Sequence, residues 1–249
     1  MANLTILRTY ALKDPASLPR SILFSHTETS LTIYDAFPKS MFHFLILPRA
    51  SSKPEANELD SLRTLLKGDK ARAKQVISAL REDAQTLRKE IEDEMLKRYG
   101  FKWDVWTGFH ATPSMQHLHL HVLSADLCSE KMKNKKHYNS FHPKIGFFLD
   151  VDEVLSWFDA EDSYFAAMAK LDPKDHEAFL KQDLACFHCG SAMKNMPALK
   201  AHLQEEWDKQ AARVKAKLER KRQLEEKSDT VENSDQVHSK KQKADSNTQ

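Results

Sequence analysis

The chain has 249 residues, 41% of them apolar and 30% charged, with a formal net charge of +2. That length buries a full core and leaves enough over for a smaller module and a tail. No run of about eighteen apolar residues occurs, and Met1 to Arg20 holds no apolar leader, so a soluble, intracellular protein with no membrane partner is expected. Three cysteines are too few for an extracellular disulfide framework. Two of them, Cys186 and Cys189, form a Cys-x-x-Cys pair that suits a metal, while Cys128 reads as an ordinary thiol. Positive charge gathers at Lys131, Lys133, Lys135, Lys136 and Lys144 and again from Arg213 to Arg222. Such groups point to a polyanionic partner.

In chain order, Leu31 to Asp35 and Met41 to Leu47 have the alternating or clustered apolar and β-branched content of strands. From Glu58 to Tyr99 the apolar residues recur at helical spacing: Leu59, Leu62, Leu65 and Leu66, then Val76, Ile77, Leu80, Leu87, Ile91 and Met95. Gly68-Asp69 separates a short helix from a long one, and Tyr99-Gly100 supplies the stop. Trp103 to Phe109 and His117 to Ser124 read as two further strands. Strands interrupted by one helical block predict an α+β domain over 1–165, an antiparallel sheet covered on one face by the long helix. Short helices broken at Leu171-Asp172-Pro173 lead into a smaller module, 166–224. From residue 225 to 249 the polar composition cannot offset its ordering entropy, and an unstructured tail is expected.

His117-Leu118-His119-Leu120-His121-Val122 carries the most information. A strand sends successive side chains to opposite faces, so three imidazoles share one face while Leu118, Leu120 and Val122 pack into the core. Three adjoining rings titrate interdependently, a cost that calls for a compensating use. Histidines two apart on a strand can chelate zinc. Alternatively, one ring attacks phosphorus while its neighbours fix its tautomer and neutralise phosphate charge.

The second module has its own pattern. Cys186 and Cys189 are followed by twelve residues, then His202, and four further on by Glu206. Pro197 fits the first turn of a helix, on which Leu199, His202, Leu203 and Glu206 share a face. This is a C2H2 finger pattern with a carboxylate in the last place, an allowed zinc ligand, with His188 or water as alternatives for the fourth position. A core this small depends on structural zinc for folding. The helix continues into the basic residues after Trp207, which suit phosphate contacts without sequence readout.

Residues 117–123, H-L-H-L-H-V-L, match the His-φ-His-φ-His-φ-φ motif and so resemble the histidine-triad (HIT) superfamily of nucleotide hydrolases and transferases. The stretches D-A-F-P-K-S-M-F-H-F-L-I-L-P-R, G-F-H-A-T-P-S-M-Q and N-K-K-H-Y-N-S-F, with the terminal Cys-x-x-Cys module, resemble its aprataxin branch, which removes AMP from DNA 5′ ends. The resemblance implies a HIT-like fold with His119 as nucleophile, flanked by His117 and His121. It implies Asp35 as the ribose-binding acid, His43 as an extra active-site histidine and Ser114 as a contact to the α-phosphate. His110 becomes the general acid and Lys39 shapes the phosphate pocket, while Lys136, His137 and Tyr138 contact the DNA. It also implies a nuclear enzyme acting on adenylated ends of nicked or broken duplex, with AMP as product and no redox cofactor. The alternatives are a general HIT hydrolase of small AMP conjugates and a zinc-dependent nucleic-acid binder with an inert triad.

Overall fold

The computed structural model describes residues 4–245, with side chains through Leu224. Six strands, β1 (Leu23–His26), β2 (Ser30–Tyr34), β3 (His43–Pro48), β4 (Val105–His110), β5 (Leu120–Ser124) and β6 (Phe148–Asp150), form one sheet in the order β1-β2-β3-β5-β4-β6. Every neighbouring pair is antiparallel. The central strands β3 and β5 are buried throughout, as strands covered on both faces must be.

The helices that follow α1 (Ile6–Ala11) are α2 (Lys53–Glu58), α3 (Leu62–Leu66) and the long α4 (Lys70–Tyr99). Asp69 caps α4 by accepting from the Arg72 N–H at 2.7 Å. Gly100 ends it in the left-handed conformation, φ 74°, donating its N–H to the Leu96 carbonyl. Ala73, Ile77, Leu80, Ala84, Leu87, Ile91 and Met95 recur three and four apart and bury one stripe of α4. That stripe lies over β3, β4 and β5. Burying each of its large apolar side chains contributes roughly 1.5–3 kcal/mol.

Register divides the sheet's two faces. His43 stands opposite Leu123, Leu45 opposite His121, and Gly108 opposite His121 on the other side. His43, His121, Gly108 and, two residues on, His110 therefore share a face, while Phe44, Ile46, Leu120 and Val122 share the other. Helices α5 (Lys135–Asn139), α6 (Val151–Ser156), α7 (Asp162–Met168) and α8 (Pro173–Glu177) follow, and α9 is Met196–Asp245. No helix among the described residues is long and apolar enough to cross a membrane.

Strand β5 begins at Leu120 and not at His117, so the imidazole alternation is not carried by one continuous strand. His117 takes φ 88°, outside any strand conformation. Its N–H bonds the Asp60 carbonyl at 2.9 Å and the Leu118 N–H bonds the Leu59 carbonyl at 2.6 Å. Strands β1 and β6 were not expected; four and three residues long, they are too short to show alternation.

The expected division near residue 165 does not coincide with a change of core. Leu123, Met132, Phe141 and Phe148 share one apolar cluster with Leu184, Cys186, Phe187, Leu199 and Leu203. By contacts, the units are Met1–Gln204 and Glu205–Gln249. The helical backbone of α9 runs to Asp245, through the segment whose composition predicts an unstructured tail; side chains past Leu224 and residues 246–249 lie outside the described residues.

Gly108 sits where β4, β5 and β6 come closest. A Cβ there meets the Leu149 carbonyl oxygen at 2.5 Å and the Phe148 ring at 2.7 Å. Gly108→Ala is expected to destabilise the fold by about 1–3 kcal/mol through overpacking and to displace Phe148 from beside His110. Urea denaturation measures the first effect, and an unchanged midpoint would show that β6 yields freely.

Candidate active site

The tautomers of the buried imidazoles follow from their partners. The His119 Nδ1 lies 2.8 Å from the His117 carbonyl oxygen, which can only accept, so Nδ1 carries the proton. The free lone pair is thus on Nε2, in a residue that is 7% exposed and lines a cavity. His117 holds that carbonyl in place: its Nε2 donates to the Pro48 carbonyl at 2.7 Å, fixing a residue at positive φ. Left-handed backbone at a bulky residue costs on the order of 1–3 kcal/mol, which the surrounding bonds offset.

A second chain of bonds begins in the loop before β3. The Lys39 backbone N–H donates to His43 Nδ1 at 3.1 Å, so His43 carries its proton on Nε2 and donates to His121 Nδ1 at 3.0 Å. His121 is thereby left with its proton on Nε2. That nitrogen and His110 Nε2 are buried and unbonded among the described residues. The two rings lie 4.3 Å apart, between centroids. A buried polar atom without a partner costs about 1–3 kcal/mol, so the pair is built for a polar visitor. The metal alternative meets an obstacle here: Asp35, His43 and His121 place donor atoms within 4.8 Å, but His43 and His121 already spend theirs on each other.

The cavity measures about 730 Å³. It brings together the expected Asp35, Lys39, His110, Ser114, His119, His121, Lys136 and His137. His43 lies behind His121 and His117 turns toward Pro48, so neither lines the cavity. Asp35 accepts from the Phe37 N–H at 2.6 Å, and its other oxygen stands 3.6 Å from His43 Nε2. Burial lowers the Lys39 pKa, against the opposing pull of Asp35.

Tyr138 is not at the cavity. It is fully buried, its hydroxyl donating to the Ala185 carbonyl at 2.8 Å and accepting from the Phe187 N–H at 3.0 Å. Two of the expected basic residues also have structural partners, Lys135 with Asp183 at 3.1 Å and Lys144 with the Phe187 carbonyl at 2.7 Å. Sequence reasoning missed Phe141, whose ring packs against His110, His121 and His43 at 4.6, 5.1 and 5.3 Å. It also missed Asp126, a buried carboxyl that accepts from the Met41 N–H at 2.9 Å and so pins the Lys39 loop. The only signal for either was proximity to a motif.

Burial dominates the protonation of all five histidines. It holds His43 and His117 at about 4, lowers His119, and pushes His110 and His121 well down. Depressed native pKa values mean that the neutral rings' stability is intact above pH 6.5, where neither state binds protons. As pH falls from 6.5 toward 4, the unfolded chain takes up protons that the native state refuses. His43 and His117 then each cost roughly 3 kcal/mol. Unfolding free energy in urea is expected to drop steeply across that window, and a flat profile from pH 7 to about pH 4.5 would show the rings to be solvated.

Two family models match the chain. "Scavenger mRNA decapping enzyme C-term binding" covers residues 11–137, half of the sequence, and "C2HE / C2H2 / C2HC zinc-binding finger" covers 144–209. An aprataxin-like protein of Drosophila melanogaster is 32% identical over 194 residues, 78% of this chain and 25% of the relative. Aprataxin of Danio rerio is 31% identical over 182 residues, 71% of this chain and 47% of the relative. A solved structure of Hnt3 in complex with DNA and guanosine superposes with TM-score 0.61 at 28% identity, covering 84% of this chain and 97% of that one. The chain belongs to the aprataxin family. It spans about a quarter to a half of those two curated relatives' lengths.

The finger residues of this aprataxin-family chain fit a metal on chemical grounds. Cys186, Cys189 and His202 offer ligand atoms within 4.8 Å of one another. Gly190, at φ 74°, turns the backbone between the sulfurs and the next strand-like pairing, with its N–H on the Cys186 carbonyl at 2.8 Å. Hydrogen bonds from Ser191, then His202, hold the Cys189 thiol down to about 6, near the thiolate a metal requires. Glu206 follows His202 by one helical turn and belongs to the second unit, where it pairs with Lys209 at 3.2 Å.

Proposed function

We propose that this chain removes AMP from adenylated 5′ ends of DNA, restoring a 5′-phosphate, through a covalent intermediate on His119. One observation carries the reading: the His119 lone pair lines a cavity that also holds two unbonded imidazole nitrogens, on His110 and His121. A phosphate oxygen accepts from the His121 Nε2–H without reorganisation, and from His110 Nε2 once that ring is protonated, which is how a preorganised site favours the transition state.

In the first step His119 Nε2 attacks the AMP phosphorus, and the bond to the DNA phosphate breaks with its electron pair on the departing oxygen. Binding the diphosphate places negative charge beside His110 and raises its depressed pKa, so His110 enters as imidazolium and gives its proton to the leaving group. His121 Nε2–H and the Lys39 and Lys136 ammonium groups stabilise the charge, and Ser114 reaches the α-phosphate. Asp35 orients the ribose. Water then attacks the phosphorus, His110 recovers a proton, and AMP leaves His119 neutral. No step uses a redox cofactor.

Zinc serves structure here. Cys186, Cys189 and His202 would hold it, with Glu206 as fourth ligand. DNA as the partner is supported by the Hnt3 complex and by the lysines at the cavity rim.

The deciding experiment quenches a reaction on adenylated nicked duplex and maps the bound AMP by mass spectrometry. An adduct at His119 is expected. Turnover of a small AMP conjugate as fast as of adenylated DNA would instead favour a general HIT hydrolase. We also propose a nuclear location, from the basic runs Arg220-Lys221-Arg222 and Lys240-Lys241-Gln242-Lys243. A chain truncated after Lys209 should lose nuclear enrichment; full retention would remove the tail from that argument.

A further inference from the structure

Beyond residue 209, where the finger match ends, α9 continues as unbroken helix. Over 210–224 it carries Arg213, Lys215, Lys217, Arg220, Lys221 and Arg222 against a single acid, Glu219. Helical spacing puts Lys209, Arg213, Lys217 and Arg220 in one stripe, at successive separations of four, four and three. All four are exposed. Lys209 is paired with Glu206 at 3.2 Å, while Glu219 turns from the stripe to Arg222 and Gln223, each at 3.0 Å.

At a rise of 1.5 Å per residue the stripe is roughly 16 Å long. A nucleic-acid duplex offers one negative charge per about 1.7 Å of axis, so a cation row of this length meets a matching row of phosphates. Trp207, Ala211, Val214 and Leu218 lie on the opposite side of the helix, whereas the small Ala216 and, at the end of the row, Leu224 share the side of the stripe.

We infer that this helical stripe is an accessory duplex-binding surface that holds the DNA backbone independent of sequence. The inference rests on the reading of the substrate as a nucleic-acid end. Charge without base contacts suits an enzyme that must accept any sequence at a break.

The test is a full-length variant with Arg213→Gln, Lys217→Gln and Arg220→Gln, residues whose replacements are good helix formers. Binding is measured by fluorescence anisotropy on a duplex of about 30 base pairs across a salt series. Affinity is expected to fall about ten-fold at physiological salt, and the slope of log K against log salt to fall by about 2 to 3. Hydrolysis of a small AMP conjugate should not change. A charge-keeping variant, Arg213→Lys with Arg220→Lys, should bind as the parent does. Unchanged duplex affinity and slope in the glutamine variant overturn the inference while leaving the catalytic reading intact. A parent chain that never deadenylates DNA overturns the catalytic reading itself. Equal binding of anionic phospholipid vesicles, lost with the same three residues, would reassign the stripe to membrane.

Discussion

His119→Ala is expected to lower turnover of adenylated DNA by roughly 10⁴-fold or more, because it removes the Nε2 lone pair that the His117 carbonyl fixes toward the cavity. His43 and His121 have ring nitrogens tied to each other. His117 directs its proton to Pro48, away from the cavity. KM should change little, since the ring makes its bond in the transition state and contributes little to ground-state binding. The fold should survive: the substitution empties a site facing the cavity rather than the α4 core, and a thermal melt within a few degrees of the parent checks this. An adduct trapped on another residue of the active parent, or a variant retaining a tenth of the parent rate, would displace His119 from its role. The comparison with His110→Ala separates the steps. Without its acid the enzyme should still form the adduct, slowly, and the loss should shrink for substrates with better leaving groups.

The triad was legible because apolar residues separate its histidines, and α4 because Asp69 and Gly100 mark both ends of a stripe with helical period. The site's working geometry was not. His117 shares the motif but leaves the strand, and its carbonyl, rather than its ring, meets the His119 imidazole. Motif spacing reports side-chain identity, whereas this contact is made by backbone in a conformation that no propensity favours. Tyr138 shows the converse. It lies in the lysine-rich segment and looks like a surface contact, yet it is buried because Ala185 and Phe187, more than forty residues away, satisfy its hydroxyl. Pairings at that separation are set by topology, which also explains why the finger's cysteine pair was recognisable while its shared core with the catalytic fold was not.

That shared core makes a second large effect specific. If the finger were only a DNA-binding appendage, stripping its metal would spare hydrolysis of a small AMP conjugate. The cluster argues otherwise: Cys186, Phe187, Leu199 and Leu203 pack in one body with Phe141 and Phe148, and both of those rings lie against the cavity imidazoles, Phe141 on His110 and His121 and Phe148 on His110. Metal affinity in small finger domains is folding free energy, on the order of 10 kcal/mol, so chelation should release the hairpin around Cys186 and Cys189 and unpack Phe141 with it. The loss of Phe141 admits water to His43 and His121, relieving the desolvation that keeps them neutral. We therefore expect a strong chelator to abolish small-conjugate turnover together with DNA turnover. Amide exchange should rise at both the finger and residues 135–142, and the unfolding caused by lowering pH should become shallower. Tyr138→Phe is the mild version: it leaves the Phe187 N–H and Ala185 carbonyl unpaired, a cost of about 1–3 kcal/mol, and should weaken resistance to chelation without touching the cavity. Full small-conjugate activity in metal-stripped protein, with exchange confined to the finger, would show that the two halves of the cluster hold independently.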